Sequence, residues 1–195
     1  MKKKNQKNFI QTIKRVAFYF VIFSFLGWIW EVFLSFTTTG VFINRGMLFG
    51  PWTPIYGFGG IGVLLLSKKF KKPWQLFLAA FIISGVLEYL TATILEEVYG
   101  AKWWDYNMLY FNIQGKICLE YLLAFAVVAC LAVYLVVPKI DILFRKINPK
   151  IMTIILIVIL LLICADFIYS IFSPNNAAVV GNLVPRVGIE PALYP

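Results

Sequence analysis

Four carboxylates lie inside the most apolar stretches of this chain: Glu31, Glu88, Glu120 and Asp166. A charged side chain at the middle of a membrane helix costs roughly 2.5–3.5 kcal/mol on the insertion scale, so it needs an internal partner or a task. Gathered in one place, such acids could bind a cation, carry protons or do acid–base chemistry. Paired with nearby cations, they could equally serve only to fix helix packing.

Other chemistry is narrowed by composition. There is no histidine, which removes His-based triads, His-ligated zinc and His proton shuttles. Cys118, Cys130 and Cys164 sit in apolar runs at no metal-ligand spacing. No metal site, cofactor or catalytic residue is expected. A Gly-x-x-x-x-Gly-Lys-Ser/Thr run is also missing, so the chain does not cradle ATP phosphates by that motif.

The elements that must position the acids are membrane helices. Apolar residues make up 61% of the 195, and mean hydropathy is +0.83. Charged residues are 14%, below the ~25% usual for soluble domains. A span needs about 20 apolar residues. The expected fold is an all-α, polytopic helical bundle with about five spans: Val16 to Phe36, Pro51 to Ser67, Trp74 to Leu95, Ile117 to Val137 and Ile151 to Phe172. The apolar runs are too long for strands and lack period-two alternation. The first run passes Trp28 and Trp30 without a small-residue cleavage site, so it reads as a retained helix rather than a signal peptide.

The net charge of +9 follows the loops rather than a nucleic-acid surface. Fourteen Lys and Arg residues precede span one or lie between spans two and three and spans four and five. Arg45, Lys102, Lys116 and Arg186 are the four on the other side. Residues 1–15 are then a basic cytoplasmic N-terminus, and the location is the cell membrane, crossed several times. With that orientation Glu31, Glu88 and Asp166 each lie about 15 residues, or ~22 Å, above the inner end of their span. Glu120 lies about one turn below the outer end of span four. All four acids are expected in the outer half of the bilayer, with Arg45 in ion-pair reach of at least one.

Span two is short and opens Gly50-Pro51-Trp52-Thr53-Pro54, followed by Tyr56, Gly57, Gly59, Gly60 and Gly62. Proline suits a first helical turn. The glycines suit either tight helix packing or irregular backbone lining a cavity, where gating occurs. Trp103-Trp104-Asp105-Tyr106 and Asn112 lie on an outer segment. They read either as an interfacial aromatic belt or as a lid, with Asp105 joining the polar cavity. From Ser173 onward the chain has turn residues and no periodicity, so 173–195 is expected to lack structure. Val187-Gly188-Ile189-Glu190-Pro191 resembles translated transfer-RNA gene sequence, and this tail is assigned no function.

Four blocks in order carry a family resemblance: Gly27-Trp28-Ile29-Trp30-Glu31, Asn44 through Gly59, Trp103-Trp104-Asp105-Tyr106, and Asn112 through Leu119. Over about residues 16–137 the chain resembles the ABC-transporter type IV (CmpB-like) permeases. Thr53 stands where that family often has Cys, and Lys116 where Arg is frequent. The resemblance implies a multi-pass transporter permease and brings no substrate and no catalytic residues.

The function expected is a membrane transport component with an outer cavity lined by Glu31, Arg45, Glu88, Asp105, Glu120 and Asp166. Its partners would be the lipid bilayer and either a separate ATPase subunit or a second copy of the chain, with no nucleic acid. The inner loops are short, and neither shows a coupling helix. A small scaffold subunit and an outer-leaflet enzyme using carboxylates remain open as alternatives.

Overall fold

The computed structural model describes residues 2–70 and 72–182. Lys71, Arg186 and the Val187–Pro191 motif lie outside the described residues. Five helices run in chain order: α1 (Lys2–Thr39), α2 (Pro54–Ser67), α3 (Pro73–Tyr99), α4 (Leu119–Lys146) and α5 (Pro149–Phe172). All but α2 are long and apolar enough to cross a membrane. The bundle is thus all-α and polytopic in character, with α2 a shorter apolar helix of 14 residues, about 21 Å long.

Helix limits follow local chemistry. Pro54, Pro73 and Pro149 stand in the first turns of α2, α3 and α5, where a missing N–H loses no helical bond. Asn148 caps α5, its side chain accepting the Lys150 N–H at 2.9 Å. Gly100 ends α3 with φ +63°, the left-handed conformation that suits glycine at a helix end. Within α4 the residues Ala132–Val136 form a π turn, and the helix then continues through Pro138.

Several boundaries differ from the sequence expectation. The basic start of the chain belongs to α1 rather than preceding it. Span two was expected from Pro51, yet α2 begins at Pro54, because residues 50–53 turn back on themselves to reach α1 and α5. Helix α4 runs nine residues past Val137, to Lys146.

In the bundle α2 packs between α1 and α3, α4 packs on α3, and α5 packs on α1. One buried cluster joins Phe18, Tyr19 and Phe23 of α1 to Val137, Ile140, Met152 and Leu156 of α4 and α5. A second joins Val63, Leu76, Ala80 and Ala126 across α2, α3 and α4. Many other large apolar side chains are exposed on the outer helix faces, as expected where the solvent is lipid.

Four short strands shape the connections. Strands β1 (Ala101–Lys102) and β4 (Gly181–Asn182) pair antiparallel and tie the end of α3 to the chain beyond α5. Strands β2 (Asn112–Ile113) and β3 (Ile117–Cys118) form a hairpin over Gln114 and Gly115, both at positive φ. The expectation that structure stops at Ser173 is corrected here. Asn175 is buried, and its Nδ2 donates to the carbonyls of Asn44, Gly46 and Leu48 at 3.0, 3.1 and 3.3 Å. Ala178 joins Leu95, Ala101 and Trp103 in a third buried cluster. Residues 173–182 therefore belong to the folded body, held by backbone capture rather than by periodic apolar contacts.

Candidate functional site

The helices bring some of the expected acids together and separate others. Glu31 on α1 accepts a hydrogen bond from the Tyr56 hydroxyl of α2. Its second oxygen lies 3.5 Å from Arg45 Nε, so the expected pairing of Arg45 with an intramembrane acid is present. The guanidinium also donates to the Trp103 carbonyl at 3.4 Å. Tyr56 can reach Glu31 because Gly27, one turn earlier on α1, leaves room for the phenol ring. A Cβ at Gly27 would stand 2.5 Å from Tyr56 Cβ and Cδ2.

Glu88 on α3 is 6% exposed. Its Oε1 accepts from the Tyr106 hydroxyl at 2.8 Å, while its Oε2 is buried without a hydrogen-bond partner. Tyr106 stacks on Tyr121 at 4.9 Å, Tyr121 neighbours Phe125 at 6.2 Å, and Phe125 meets Tyr56 edge-on at 6.0 Å. The aromatic side chains thus form an arc from one carboxylate to the other, drawn from α1, α2, α3, α4 and the segment 101–118. Burial, and then the charge of Glu88, hold the Tyr106 phenol well above its ordinary range, so it stays a donor.

Asp166 does different work. It accepts from the Phe49 and Gly50 N–H groups at 3.1 and 2.8 Å, from Trp52 Nε1 at 2.7 Å and from the Ser170 hydroxyl at 3.2 Å. The carboxylate is saturated by donors and anchors residues 49–52 to α5. Glu120 is exposed in the first turn of α4, where a negative charge favours the helix N-terminus. Asp105 pairs with Lys102 at 3.0 Å and accepts the Asn107 N–H at 2.9 Å. Burial alone would raise its pKa, but those two partners outweigh burial and hold it below the usual carboxylate range. Glu31 and Arg45 therefore pair, Glu88 is joined to Glu31 only through the aromatic chain, and Asp105, Glu120 and Asp166 each have surroundings of their own.

The glycine-rich helix and the Trp segment also resolve into distinct roles. Gly57 lies against α1, where a Cβ would stand 2.6 Å from Phe20 Cδ2. At Gly59 an added Cβ would meet Leu87 at an ordinary 3.4 Å. Helix α2 is continuous through both, so these glycines serve packing, and the irregular backbone is confined to Gly50, Pro51, Trp52 and Thr53 ahead of Pro54. Trp103 is buried, its Nε1 donating to the Asn175 carbonyl at 3.0 Å. Trp104 Nε1 donates to the Lys116 carbonyl at 2.9 Å. Asn112 stays inside its hairpin, donating to the Leu109 carbonyl and accepting the Gly115 N–H. These three residues stitch the outer segment together, and Tyr106, between them in sequence, is the side chain that reaches inward.

Sequence reasoning passed over Asn175, Tyr121 and Phe125. Asn175 gave no signal, being one Asn in an aperiodic stretch. Tyr121 and Phe125 are four residues apart on α4, so they share a face, which was a usable hint. Among the described residues no group of three or more His, Cys, Asp or Glu could hold a metal ion.

Apolar helices of spanning length around a buried polar cluster define a membrane protein. A family model described as "Putative ABC-transporter type IV" matches residues 18–171, and the chain belongs to that family, a class of membrane transport components. No curated protein and no solved structure matches it.

Proposed function

We propose that this chain is the multi-pass membrane subunit of a transporter in the cell membrane, with its N-terminus cytoplasmic. Its substrate path passes the carboxylates Glu31 and Glu88. The observation that carries this reading is Glu88, buried on an apolar helix with one oxygen unpartnered, together with the half-buried Glu31 that Arg45 pairs with. Two acids on apolar helices, only one of them paired with an arginine, are costly to retain for packing alone. Tyr56 and Tyr106 hold the carboxylates in place, and the segment 101–118 covers them from the outer side.

The chain has no phosphate-binding loop of the Walker type, so energy would come from a separate ATPase. Its docking place is the inner end of α4. There the helix extends to Lys146 and presents exposed Ile142 and Leu143 beside Arg145 and Lys146. Arg15 bonds to Asp141, which also accepts from Tyr19, and this links that end to α1. A push on α4 would thereby reach the helix that bears Glu31.

The test is photocrosslinking from position 142 in native membranes, followed by mass spectrometry and an ATPase assay of the purified complex. An ATP-binding chain crosslinked at 142 and lost in Arg145→Glu is expected. Membranes that yield no ATP-binding partner by crosslinking or by mild-detergent purification overturn the ABC reading in favour of a scaffold.

A further inference from the structure

The geometry points to a binding site for a primary alkylammonium ion at Glu88, along the arc formed by Glu31, Tyr56, Phe125, Tyr121, Tyr106 and Glu88. This deepens the transport reading by naming the chemical class of the ligand, and it rests on that reading only for the ligand's passage, not for its binding.

On the outer side Lys102 pairs with Asp105 at 3.0 Å, and Lys116 pairs with Glu96 at 3.2 Å and also donates to Thr93. Arg45 is engaged with Glu31. Among the described residues Asp166 has no cation, but its oxygens are filled by four neutral donors. Glu88 is left without a cation among the described residues. Its Oε2 also lacks a hydrogen-bond donor although the residue is 6% exposed. A buried acceptor of this kind is expensive unless a ligand completes it. A ligand that is both positive and an N–H donor would complete this oxygen.

The walls narrow the choice further. Three of the six side chains are connected by ring contacts of 4.9 and 6.2 Å, and the fourth ring, Tyr56, closes on Phe125 at 6.0 Å. Aromatic faces attract weakly hydrated organic cations. A sodium ion would instead require several oxygens at short range, and the tyrosine hydroxyls here already donate to the acids. A quaternary ammonium satisfies the rings but offers no N–H to Glu88 Oε2. An alkylammonium group satisfies both, with its short apolar tail against Phe125. Tyr106 belongs to the segment 101–118 rather than to a membrane helix, so it is the wall that can lift to admit the ligand.

The test uses the purified full chain in detergent, without ATP or a gradient. Ethylammonium, tetramethylammonium and sodium chlorides are titrated at constant ionic strength, with thermal unfolding and intrinsic fluorescence as readouts. Saturable stabilisation by ethylammonium is expected, with tetramethylammonium at least roughly tenfold weaker and sodium without effect. Glu88→Gln should weaken ethylammonium by more than about tenfold while circular dichroism and elution stay as in the parent. If Glu88→Gln does not fold, Tyr121→Leu, which removes one ring, carries the test, with Tyr121→Phe retaining affinity.

No saturable effect of ethylammonium, an equal effect of sodium or tetramethylammonium, or parental affinity in Glu88→Gln overturns the proposal. Because binding is read without energy input, it can succeed where no ATPase partner is found, and it can fail where one is.

Discussion

Removing the Asp166 carboxylate should destabilise the bundle without touching ligand binding. In Asp166→Ala three donors from residues 49–52 lose a charged acceptor: the N–H groups of Phe49 and Gly50 and Trp52 Nε1. Hydrogen bonds to a charged group are worth about 1.5–3 kcal/mol each when buried. Asp166 is only half-buried, so the low end applies, about 4.5 kcal/mol for three bonds, and water replaces about a third of that, leaving about 3 kcal/mol. For a chain of this size each kcal/mol moves the unfolding midpoint by roughly 2–4 °C, giving a fall of about 6–12 °C. Asp166→Asn keeps one acceptor oxygen and should lose about half as much. Differential scanning fluorimetry in one detergent, with exposed Lys69→Ala as the reference, measures this. A fall below about 2 °C in Asp166→Ala would refute the anchoring role. Loss of ethylammonium binding in a folded Asp166→Asn would return this acid to the ligand site.

Gly27→Ala places a methyl group against the Tyr56 ring, and overpacking of this kind costs about 1–3 kcal/mol. Unfolding midpoints should show that loss, while Gly59→Ala, with an ordinary 3.4 Å contact to Leu87, stays near the parent. Equal effects at both positions would count against the close approach of α1 and α2. Asp105 gives a pH dependence for the outer segment. Its folded pKa lies below the ordinary carboxylate value, so its stabilising contribution is present above that value and is lost as pH falls through the folded pKa. Amide protection of residues 101–118, taken relative to the intrinsic exchange rate at each pH, should therefore fall below about pH 4, and Asp105→Asn should flatten the profile.

Much of the fold was legible because a bilayer leaves few options. Long apolar runs must form helices, and proline and glycine mark where those helices begin and end. The same logic located Arg45 beside an intramembrane acid, since a lone buried charge needs a partner. It could not say which acid, and Glu31 was decided by the turn at residues 50–53, which sets the start of α2 and hence the height of Tyr56. The expectation of equal depth also did not entail shared surroundings. Asp166 lies on α5, which packs on α1 rather than on α3, so it faces the backbone donors of residues 49–52 instead of Glu88.

The amino-acid sequence alone determined that this is a helical membrane protein with ionisable groups where lipid would not tolerate them unpaired. Hydropathy and charge bias act along the chain, within one helix at a time, so they can be read without coordinates. Tertiary structure decided which acids meet, that Glu88 keeps an unpartnered oxygen, and that Asn175 draws the chain beyond α5 into the body. Those outcomes depend on how each helix is rotated and on which neighbour it packs against. Both are set by contacts between residues distant in sequence, such as Gly27 with Tyr56 and Tyr106 with Tyr121.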